Sequence, residues 1–282
     1  MKNLTKAAAV LALAAVLTVP AFGWNFPWAQ KSANKLALQG STTVLPIAQK
    51  AAEEYMKINK EADISVSGGG SGVGISGIID SSCDIGDASR SIKSKEILTA
   101  KQKGVNPVGT IIAKDGIAII VNPSNNVAAL SIDQLKAIYS GSIKKWSQIG
   151  GSDDMIVVIS RDSSSGTFEV FNEKVLEGAK LREDSLMQAA NKEVEEAVAK
   201  TPGAIGYVGL GYVGSDVKAL TIEGVMPSDS TVLNGTYRLS RPLYMYTNGD
   251  PSGLAKEFID YLLSDAGQQI VKDVGFVALN AK

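Results

Sequence analysis

The amino-acid sequence contains no histidine and only one cysteine among its 282 residues. Without histidine, the chain cannot perform Ser-His-Asp hydrolysis or Cys-His proteolysis, and it cannot form a histidine-ligated zinc site. The single cysteine, Cys83, excludes an intramolecular disulfide and any CxxC metal or redox motif. Because Cys83 lies in a run of apolar and small residues, 78–85, a buried inert thiol is favoured over a reactive one.

The chain also lacks an excess of charge of either sign. Its formal net charge is −1 and its pI is about 5.7, so no basic field is present to attract nucleic acid. Hydrophobic residues make up 45% and charged residues 20%, which excludes both a disordered chain and a multi-spanning membrane protein. The length allows two modest domains. Any anion binding must therefore rest on local dipoles and one or two placed cations.

The N-terminus has the pattern of an export signal over residues 1–23. Lys2 and Lys6 precede an apolar run, 7–19, that is too short to span a bilayer comfortably, and Ala21-Phe22-Gly23 forms a small-x-small cleavage site. An uncleaved anchor is the alternative. We expect the exported chain to begin near Trp24 and to work on the periplasmic or extracellular side of the cytoplasmic membrane. With no cysteine near this site, lipid attachment by the usual bacterial route is excluded.

Short strand-like runs alternate with helical periodicity from about Lys35 onward, which predicts an α/β fold. The periodicity predicts a helix over 45–58 and a strand over 83–86. The apolar run 108–121 is interrupted at 114–116, where we expect a strand to pass from one domain into another, and a return strand over 239–247 predicts a second crossing. We therefore predict a discontinuous domain I, residues 24–113 and 240–282, and a domain II, residues 114–239, with the ligand between them.

Three turns rich in small hydroxyls each lie between a predicted strand and a predicted helix. Helix N-termini carry unpaired N–H groups and a partial positive charge, and hydroxyls or a guanidinium beside them can receive a tetrahedral oxyanion. The turns are Gly40-Ser41-Thr42-Thr43, Gly68-Gly69-Gly70-Ser71-Gly72 and the stretch from Ser160 to Thr167, which includes Arg161. They predict one anion held from several sides. The competing interpretation of the Arg161 stretch is a flexible surface turn with a solvated charge.

The glycine-rich turn also resembles nucleotide-binding motifs, but only weakly. Gly69 and Gly74 have P-loop spacing, yet Ile75 occupies the position of the phosphate-binding lysine. Two GxGxxG patterns begin at Gly72 and Gly209, but an exported protein has little access to a dinucleotide, and the second pattern has no clear helix behind it. We therefore predict no cofactor and no metal. The glycines are better suited to bringing backbone N–H groups close to a small anion.

Taken together over about residues 35–279, these segments resemble the periplasmic or extracellular phosphate-binding proteins of phosphate ABC transporters. The similar segments are Gly40-Ser41-Thr42-Thr43-x-x-Pro46, Gly70-Ser71-Gly72-x-Gly74, Cys83-Asp84-Ile85-Gly86-Asp87-Ala88-Ser89-Arg90, Arg161 with Ser165-Gly166-Thr167, Gly203-Ala204-Ile205-Gly206-Tyr207, and Asp265-Ala266-Gly267-Gln268. The resemblance implies a two-domain periplasmic-binding-protein fold of type II, a venus flytrap with the ligand in the interdomain cleft.

The resemblance also implies a phosphate site. In it, hydroxyl and backbone groups and a helix N-terminus donate hydrogen bonds, and Arg161 makes charge-assisted ones. The implied residues are Thr42, Thr43, Ser71, Ser89, Arg161, Ser165, Gly166 and Thr167. Ser89 departs from the pattern, because some family members carry there an aspartate that accepts the proton of HPO4²⁻. Asp87 and Asp162 lie nearby in sequence. Arg90 is either a second cation at the site or an interdomain salt bridge, and the salt bridge is favoured.

The function implied by this resemblance is that of a receptor and not of an enzyme. The receptor would bind inorganic phosphate and deliver it to the membrane permease of an ABC transporter, and we expect it to act as a monomer. One alternative is a receptor for sulfate, molybdate or tungstate. The other is an exported phosphate-ester hydrolase, which is disfavoured because the sequence has no histidine, no evident metal-binding cluster and no serine paired with an evident base.

Overall fold

The structure is a computed structural model that describes residues 34–279. All of these residues belong to one compact unit. The predicted export segment, residues 1–23, lies outside the described residues. Within the described range, none of the helices combines the length and the apolar character that a membrane crossing requires.

The described residues alternate between strands and helices, as the periodicity predicts. The strands are β1 (Lys35–Gly40), β2 (Asp63–Ser67), β3 (Ile85–Ala88), β4 (Pro107–Val121), β5 (Ala129–Leu130), β6 (Val157–Arg161), β7 (Leu186–Gln188), β8 (Ala204–Gly209), β9 (Lys218–Ala219), β10 (Thr221–Ile222) and β11 (Ser240–Asn248). The α-helices are α1 (Leu45–Ile58), α2 (Ser71–Ile79), α3 (Ser94–Gln102), α4 (Ile132–Ser140), α5 (Gly166–Phe171), α6 (Asn191–Lys200), α7 (Asp229–Leu233), α8 (Gly253–Leu263) and α9 (Asp265–Asp273).

One large sheet runs through the described part of the chain in the order β2-β1-β3-β11-β4-β8-β6-β7, with β9 beside β4. The long strand β4 changes partner along its length. From Pro107 to Gly116 it pairs with β11, and from Ile117 to Val121 it pairs with β8. The interruption that the sequence shows at 114–116 therefore lies where the strand passes from one set of neighbours to the other.

Each half of this sheet has its own hydrophobic cores. In the first half, α1, α8 and α9 cover one face, and α2 and α3 cover the other. In the second half, α4 and α5 pack on one face and α6 on the other. We call these halves the first lobe and the second lobe. This arrangement is the two-lobed α/β fold that the sequence predicts, while the residue boundaries proposed for the two domains stay a prediction.

Glycine allows the ends of β1 and β3 to approach closely. Gly40 has a φ of 138°, and a Cβ at this position would overlap the carbonyl oxygen of Asp87. Only glycine tolerates both conditions. As a result, the N–H of Ser41 reaches that carbonyl oxygen at 2.9 Å. The first hydroxyl-rich turn is thereby fixed at the carboxyl end of the parallel strands, where ligands bind in open α/β sheets.

Candidate anion-binding site

The predicted hydroxyl-rich segments come together where the two lobes meet. Thr43 Oγ1, after β1, lies 3.2 Å from Thr167 Oγ1, in the first turn of α5. Ser71 Oγ, at the start of α2, lies 3.3 Å from Ser89 Oγ, after β3. The N–H of Ser89 also donates to Ser71 Oγ at 2.9 Å. Residues 124 positions apart in the chain thus share one cluster of hydroxyls.

Every predicted site residue is buried. The side chains with 7% exposure or less are Thr42, Thr43, Ser71, Ser89, Arg161, Ser165 and Thr167. Gly166 is buried as well, and a Cβ added to it would overlap Ser71 Oγ and lie 2.8 Å from Ser89 Oγ. Glycine at this position therefore allows the two lobes to approach. Because water is excluded, hydrogen bonds in this cluster are stronger than the same bonds at an exposed surface.

Arg161 ends strand β6, and protein acceptors hold most of its guanidinium. Its Nε donates to the carbonyl of Gln188 at 3.1 Å, and its Nη2 donates to the carbonyl of Ala189 at 2.7 Å and to Thr42 Oγ1 at 3.1 Å. The buried Nη1 has no acceptor among the described residues. Burial lowers the pKa of Arg161. An unsatisfied buried donor costs about 1–3 kcal/mol or more when charged, so this Nη1 indicates a place for an anionic acceptor.

A second guanidinium at the site, Arg241 on β11, was missed by the sequence analysis. Its Nη1 donates to Ser89 Oγ at 3.2 Å, and its Nη2 donates to Thr43 Oγ1 at 3.2 Å. It also forms a buried ion pair with Asp115, with 2.8 Å between Nη2 and Oδ2. Burial raises the pKa of Asp115 and lowers that of Arg241, and the ion pair opposes both shifts. The pair is neutral as a unit, whereas Arg161 forms no ion pair with any carboxylate of the described residues and supplies positive charge to this cluster.

The signal for Arg241 and Asp115 was present in the sequence. Both residues are charged and stand within predicted strands whose other residues are mostly uncharged, at the two predicted crossings. A buried charge needs a partner. The pairing of Arg241 with Asp115 was therefore predictable from these two charges.

Asn191, the first residue of α6, was also missed. Its Nδ2 donates to Thr42 Oγ1 at 3.1 Å and to Thr43 Oγ1 at 3.0 Å. Its Oδ1 accepts from the N–H of Gly209 at 3.2 Å. The side chain is fully buried. No local sequence pattern could have identified it, because both threonines lie almost 150 residues away along the chain.

The two aspartates close to the site in sequence, Asp162 and Asp87, differ in their hydrogen bonding. Asp162 is part of the turn after β6, where its Oδ1 accepts from the N–H of Ser164 at 2.8 Å. Asp87 is buried with 1% exposure, and neither of its carboxyl oxygens has a hydrogen-bond partner among the described residues. It pairs in the sheet with Met245, a residue of the first-lobe core, and burial raises its pKa well above the usual range.

Arg90 forms a salt bridge between the lobes, as the sequence analysis favoured. In the first lobe its Nη2 lies 2.7 Å from Glu96 Oε1. Across the interface it pairs with Glu169 of α5, which Lys93 also contacts at 2.9 Å. These contacts occupy the guanidinium, so Arg90 is not a second cation at the hydroxyl cluster.

The fold and the buried cluster where the lobes meet together define the class of two-lobed solute-binding proteins. The chain belongs to the PBP superfamily, whose family model, the PBP superfamily domain, matches residues 28–266. Within it, the chain belongs to the substrate-binding proteins of phosphate ABC transporters. These comparisons agree with the resemblance that the loop motifs carry.

Relatives and solved structures similar to this chain support the assignment. The phosphate-binding protein PstS of Bacillus subtilis is 38% identical over 88% of this chain and 82% of its own length. Protein SphX of Synechococcus elongatus is 32% identical over 99% of this chain and 87% of its own. A phosphate ABC transporter substrate-binding protein of Clostridium perfringens, solved with bound phosphate, superposes with a TM-score of 0.82 and 34% identity, covering 88% of this chain and 100% of that one.

Proposed function

We propose that this chain is an extracytoplasmic receptor, not an enzyme, that binds inorganic phosphate between its lobes and delivers it to the permease of an ABC transporter. The observation that carries the proposal is the buried Nη1 of Arg161, which has no acceptor among the described residues and lies in a cluster of buried hydroxyls. The names of the similar proteins give the class of anion. Export through the segment at residues 1–23 and action as a monomer are parts of the same proposal.

The proposed contacts come from both lobes. Arg161 donates through Nη1, and Thr42 and Thr167 donate through their hydroxyls. Thr43 supports Thr167 by donating to it, and the Ser71–Ser89 pair offers the ligand one hydroxyl hydrogen and one lone pair. The N–H groups of Gly166 and Thr167 lie in the first turn of α5, where they have no partner within the helix. The hydroxyl of Ser165 accepts from the N–H of Phe168 at 3.2 Å, which fixes this turn and leaves the hydroxyl hydrogen for the ligand.

The strength of such bonds is sufficient for a tight receptor. A micromolar dissociation constant corresponds to about 8 kcal/mol. A hydrogen bond to a charged group contributes roughly 1.5–3 kcal/mol. A handful of the proposed donors therefore accounts for micromolar binding even after the cost of association and desolvation.

Sulfate is the second candidate, and Ser89 is the observation that favours it. The Oγ of Ser89 accepts from Arg241, and Asp115, the nearby carboxylate, is paired with that same arginine. An ionised carboxylate free to repel sulfate is therefore not evident among the described residues at this cluster. Discrimination between the two anions rests on the hydroxyls, which both donate and accept.

A competition experiment tests the proposal. Calorimetric titration of residues 24–282 with phosphate, sulfate, molybdate and tungstate should give micromolar or tighter binding of phosphate and weaker binding of the others. A preference for sulfate would replace phosphate as the ligand. Turnover of p-nitrophenyl phosphate with added divalent metals would contradict the assignment as a receptor without enzymatic activity.

A further inference from the structure

The amide of Asn191 has a fixed orientation at the centre of the site. The N–H of Gly209 can only donate, so the atom that faces it at 3.2 Å is the amide oxygen. The amide nitrogen therefore faces the first lobe and has two hydrogens to give. One goes to Thr42 Oγ1 and the other to Thr43 Oγ1. Both threonines are thus acceptors from the same side chain.

These contacts determine which way the hydroxyl of Thr42 can point. A threonine hydroxyl has one hydrogen and two lone pairs. Thr42 Oγ1 accepts from Asn191 Nδ2 at 3.1 Å and from Arg161 Nη2 at 3.1 Å, which occupies both lone pairs. Its hydrogen has no acceptor among the described residues. The Thr42 hydroxyl is therefore available only as a donor.

The same count applies to Thr43 and extends to Thr167. Thr43 Oγ1 accepts from Asn191 Nδ2 at 3.0 Å and from Arg241 Nη2 at 3.2 Å, so its contact with Thr167 Oγ1 must be one in which Thr43 donates. Thr167 then accepts, and its own hydrogen is free to donate. Asn191 of the second lobe thus determines, through Thr43 of the first lobe, that Thr167 of the second lobe has a hydrogen to donate.

The pair formed by Ser71 and Ser89 lacks this constraint. Ser89 Oγ accepts from Arg241 Nη1, and Ser71 Oγ accepts from the N–H of Ser89. In the contact between the two serine oxygens, either one can be the donor. One of the two therefore keeps a lone pair for the proton of a protonated oxyanion, which neither Thr42 nor Thr43 can accept.

We propose that Asn191 is a positioning residue that sets the direction of the hydrogen bonds in the anion site. It holds Thr42 and, through Thr43, Thr167 as donors to the unprotonated oxygens of the ligand, and it leaves the Ser71–Ser89 pair as an acceptor for the ligand's proton. This inference rests on the proposed function, because it assigns roles within the same site.

The test replaces only the donating end of the amide. Asn191→Asp keeps an oxygen for the N–H of Gly209 but, when ionised, accepts from the threonines, which turns the hydrogen of Thr42 away from the ligand and that of Thr43 away from Thr167. Asn191→Ala removes both contacts without reversing them. In calorimetry with inorganic phosphate at pH 8, we expect Asn191→Ala to raise the Kd about tenfold and Asn191→Asp roughly a hundredfold or more.

A pH series separates this role from a merely structural one. Lowering the pH protonates the introduced carboxyl, which can then donate to one threonine. The ratio of the Asn191→Asp Kd to the wild-type Kd at the same pH should therefore fall between pH 8 and pH 5. The corresponding ratio for Asn191→Ala should stay constant. Comparing each variant with the wild type at equal pH removes the titration of phosphate itself.

Asn122 offers a matched control in the same lobe. Its buried Nδ2 donates to the carbonyls of Val198 and Ala199 at 3.1 and 2.8 Å, away from the hydroxyl cluster. Asn122→Asp should lower the thermal stability without changing the Kd for phosphate. Wild-type affinity in both Asn191 variants, or equal losses in both at every pH, would overturn the inference while leaving phosphate binding intact.

Failure of the proposed function would look different. If the wild type binds sulfate and not phosphate, the same variants are titrated with sulfate. The same ratios of variant Kd to wild-type Kd then test the inference about Asn191. A wild type that binds neither anion contradicts both proposals.

Discussion

Arg161 supplies a buried positive charge to the proposed phosphate site. Its guanidinium is 1% exposed, and one of its nitrogens has no acceptor among the described residues. The Arg161→Ala variant should lose micromolar phosphate binding in calorimetry while its circular dichroism spectrum stays native. The expected loss is about 3–5 kcal/mol, the usual cost of breaking a buried charged contact.

Arg238, an exposed arginine in the second lobe, provides the matched control. Arg238→Ala should bind phosphate like the wild type, because this side chain is solvated. Retained micromolar affinity in Arg161→Ala would remove Arg161 from the centre of the site.

Asp87 should make the free energy of unfolding depend on pH, independently of the ligand. Burial raises the pKa of its carboxyl well above the usual 3.8, so above about pH 4 the native state holds a proton that the unfolded state releases. The free energy of unfolding then falls as the pH rises toward the native pKa. Asp87→Asn lacks this component, so its stability relative to the wild type should increase by at most about 1.4 kcal/mol per pH unit.

Urea unfolding of both proteins between about pH 3 and pH 8 measures this difference. At pH values below about 4 the difference should level off, because Asp87 is then protonated in both states. A difference that stays constant across the whole range would show that the buried carboxyl has an ordinary pKa.

The site residues that the sequence revealed are those carried by local motifs. Arg161, at the end of β6, and the hydroxyl residues belong to short segments in which a few neighbouring residues indicate anion binding. The roles of Arg241 and Asn191 depend on Thr43, which is 198 and 148 residues away from them. Such contacts are created by the sheet order and are not encoded in any one segment.

At the scale of elements, the close approach of α5 to the first lobe is the feature that closes the site. A methyl group at Gly166 would overlap Ser71 Oγ. Gly166→Ala should therefore keep the lobes apart and raise the Kd for phosphate about tenfold or more, with little loss of stability, since alanine suits a helix. Calorimetry and thermal unfolding measure the two effects.

Gly214→Ala is the control for this substitution. A Cβ there would meet only Glu195 Oε1, at 3.5 Å, which is ordinary contact distance. It should leave the Kd unchanged. Equal affinities of Gly166→Ala and the wild type would mean that the lobes do not meet at this glycine when ligand is bound.

Most elements were predictable because their apolar periodicity is strong. The helix expected over 45–58 is α1, with the same bounds. The strand expected over 83–86 instead lies two residues later, as β3. Cys83 is buried because it packs against α2 in a hydrophobic core, and not because it belongs to the strand. The pairing of β3 with β1 begins only at Ile85. An apolar run alone does not distinguish these two reasons for burial.

At the scale of the whole molecule, a charged cluster joins the lobes independently of the hydroxyls. Glu169 of the second lobe contacts Arg90 and Lys93 of the first. Glu169→Gln weakens this attraction but leaves Arg90 paired with Glu96. Because the proposed site is built from both lobes, weaker contact between them should raise the Kd for phosphate severalfold, by up to about 1.4 kcal/mol. Calorimetry at low and high salt measures this effect.

Glu177→Gln is the matched control, because Glu177 pairs with Lys136 at an exposed position within the second lobe. It should have no effect on phosphate binding. If both variants bind like the wild type, the contact between Arg90 and Glu169 does not contribute to closure.

The central claim is that one phosphate ion lies between the lobes, bound to the free nitrogen of Arg161. A crystal structure of residues 24–282 grown with phosphate tests it most directly. We predict tetrahedral density within hydrogen-bond distance of Arg161 Nη1, the Thr42 hydroxyl and the N–H of Gly166. Density at another surface, or an interlobe site that stays without phosphate at saturating concentration, would contradict the claim.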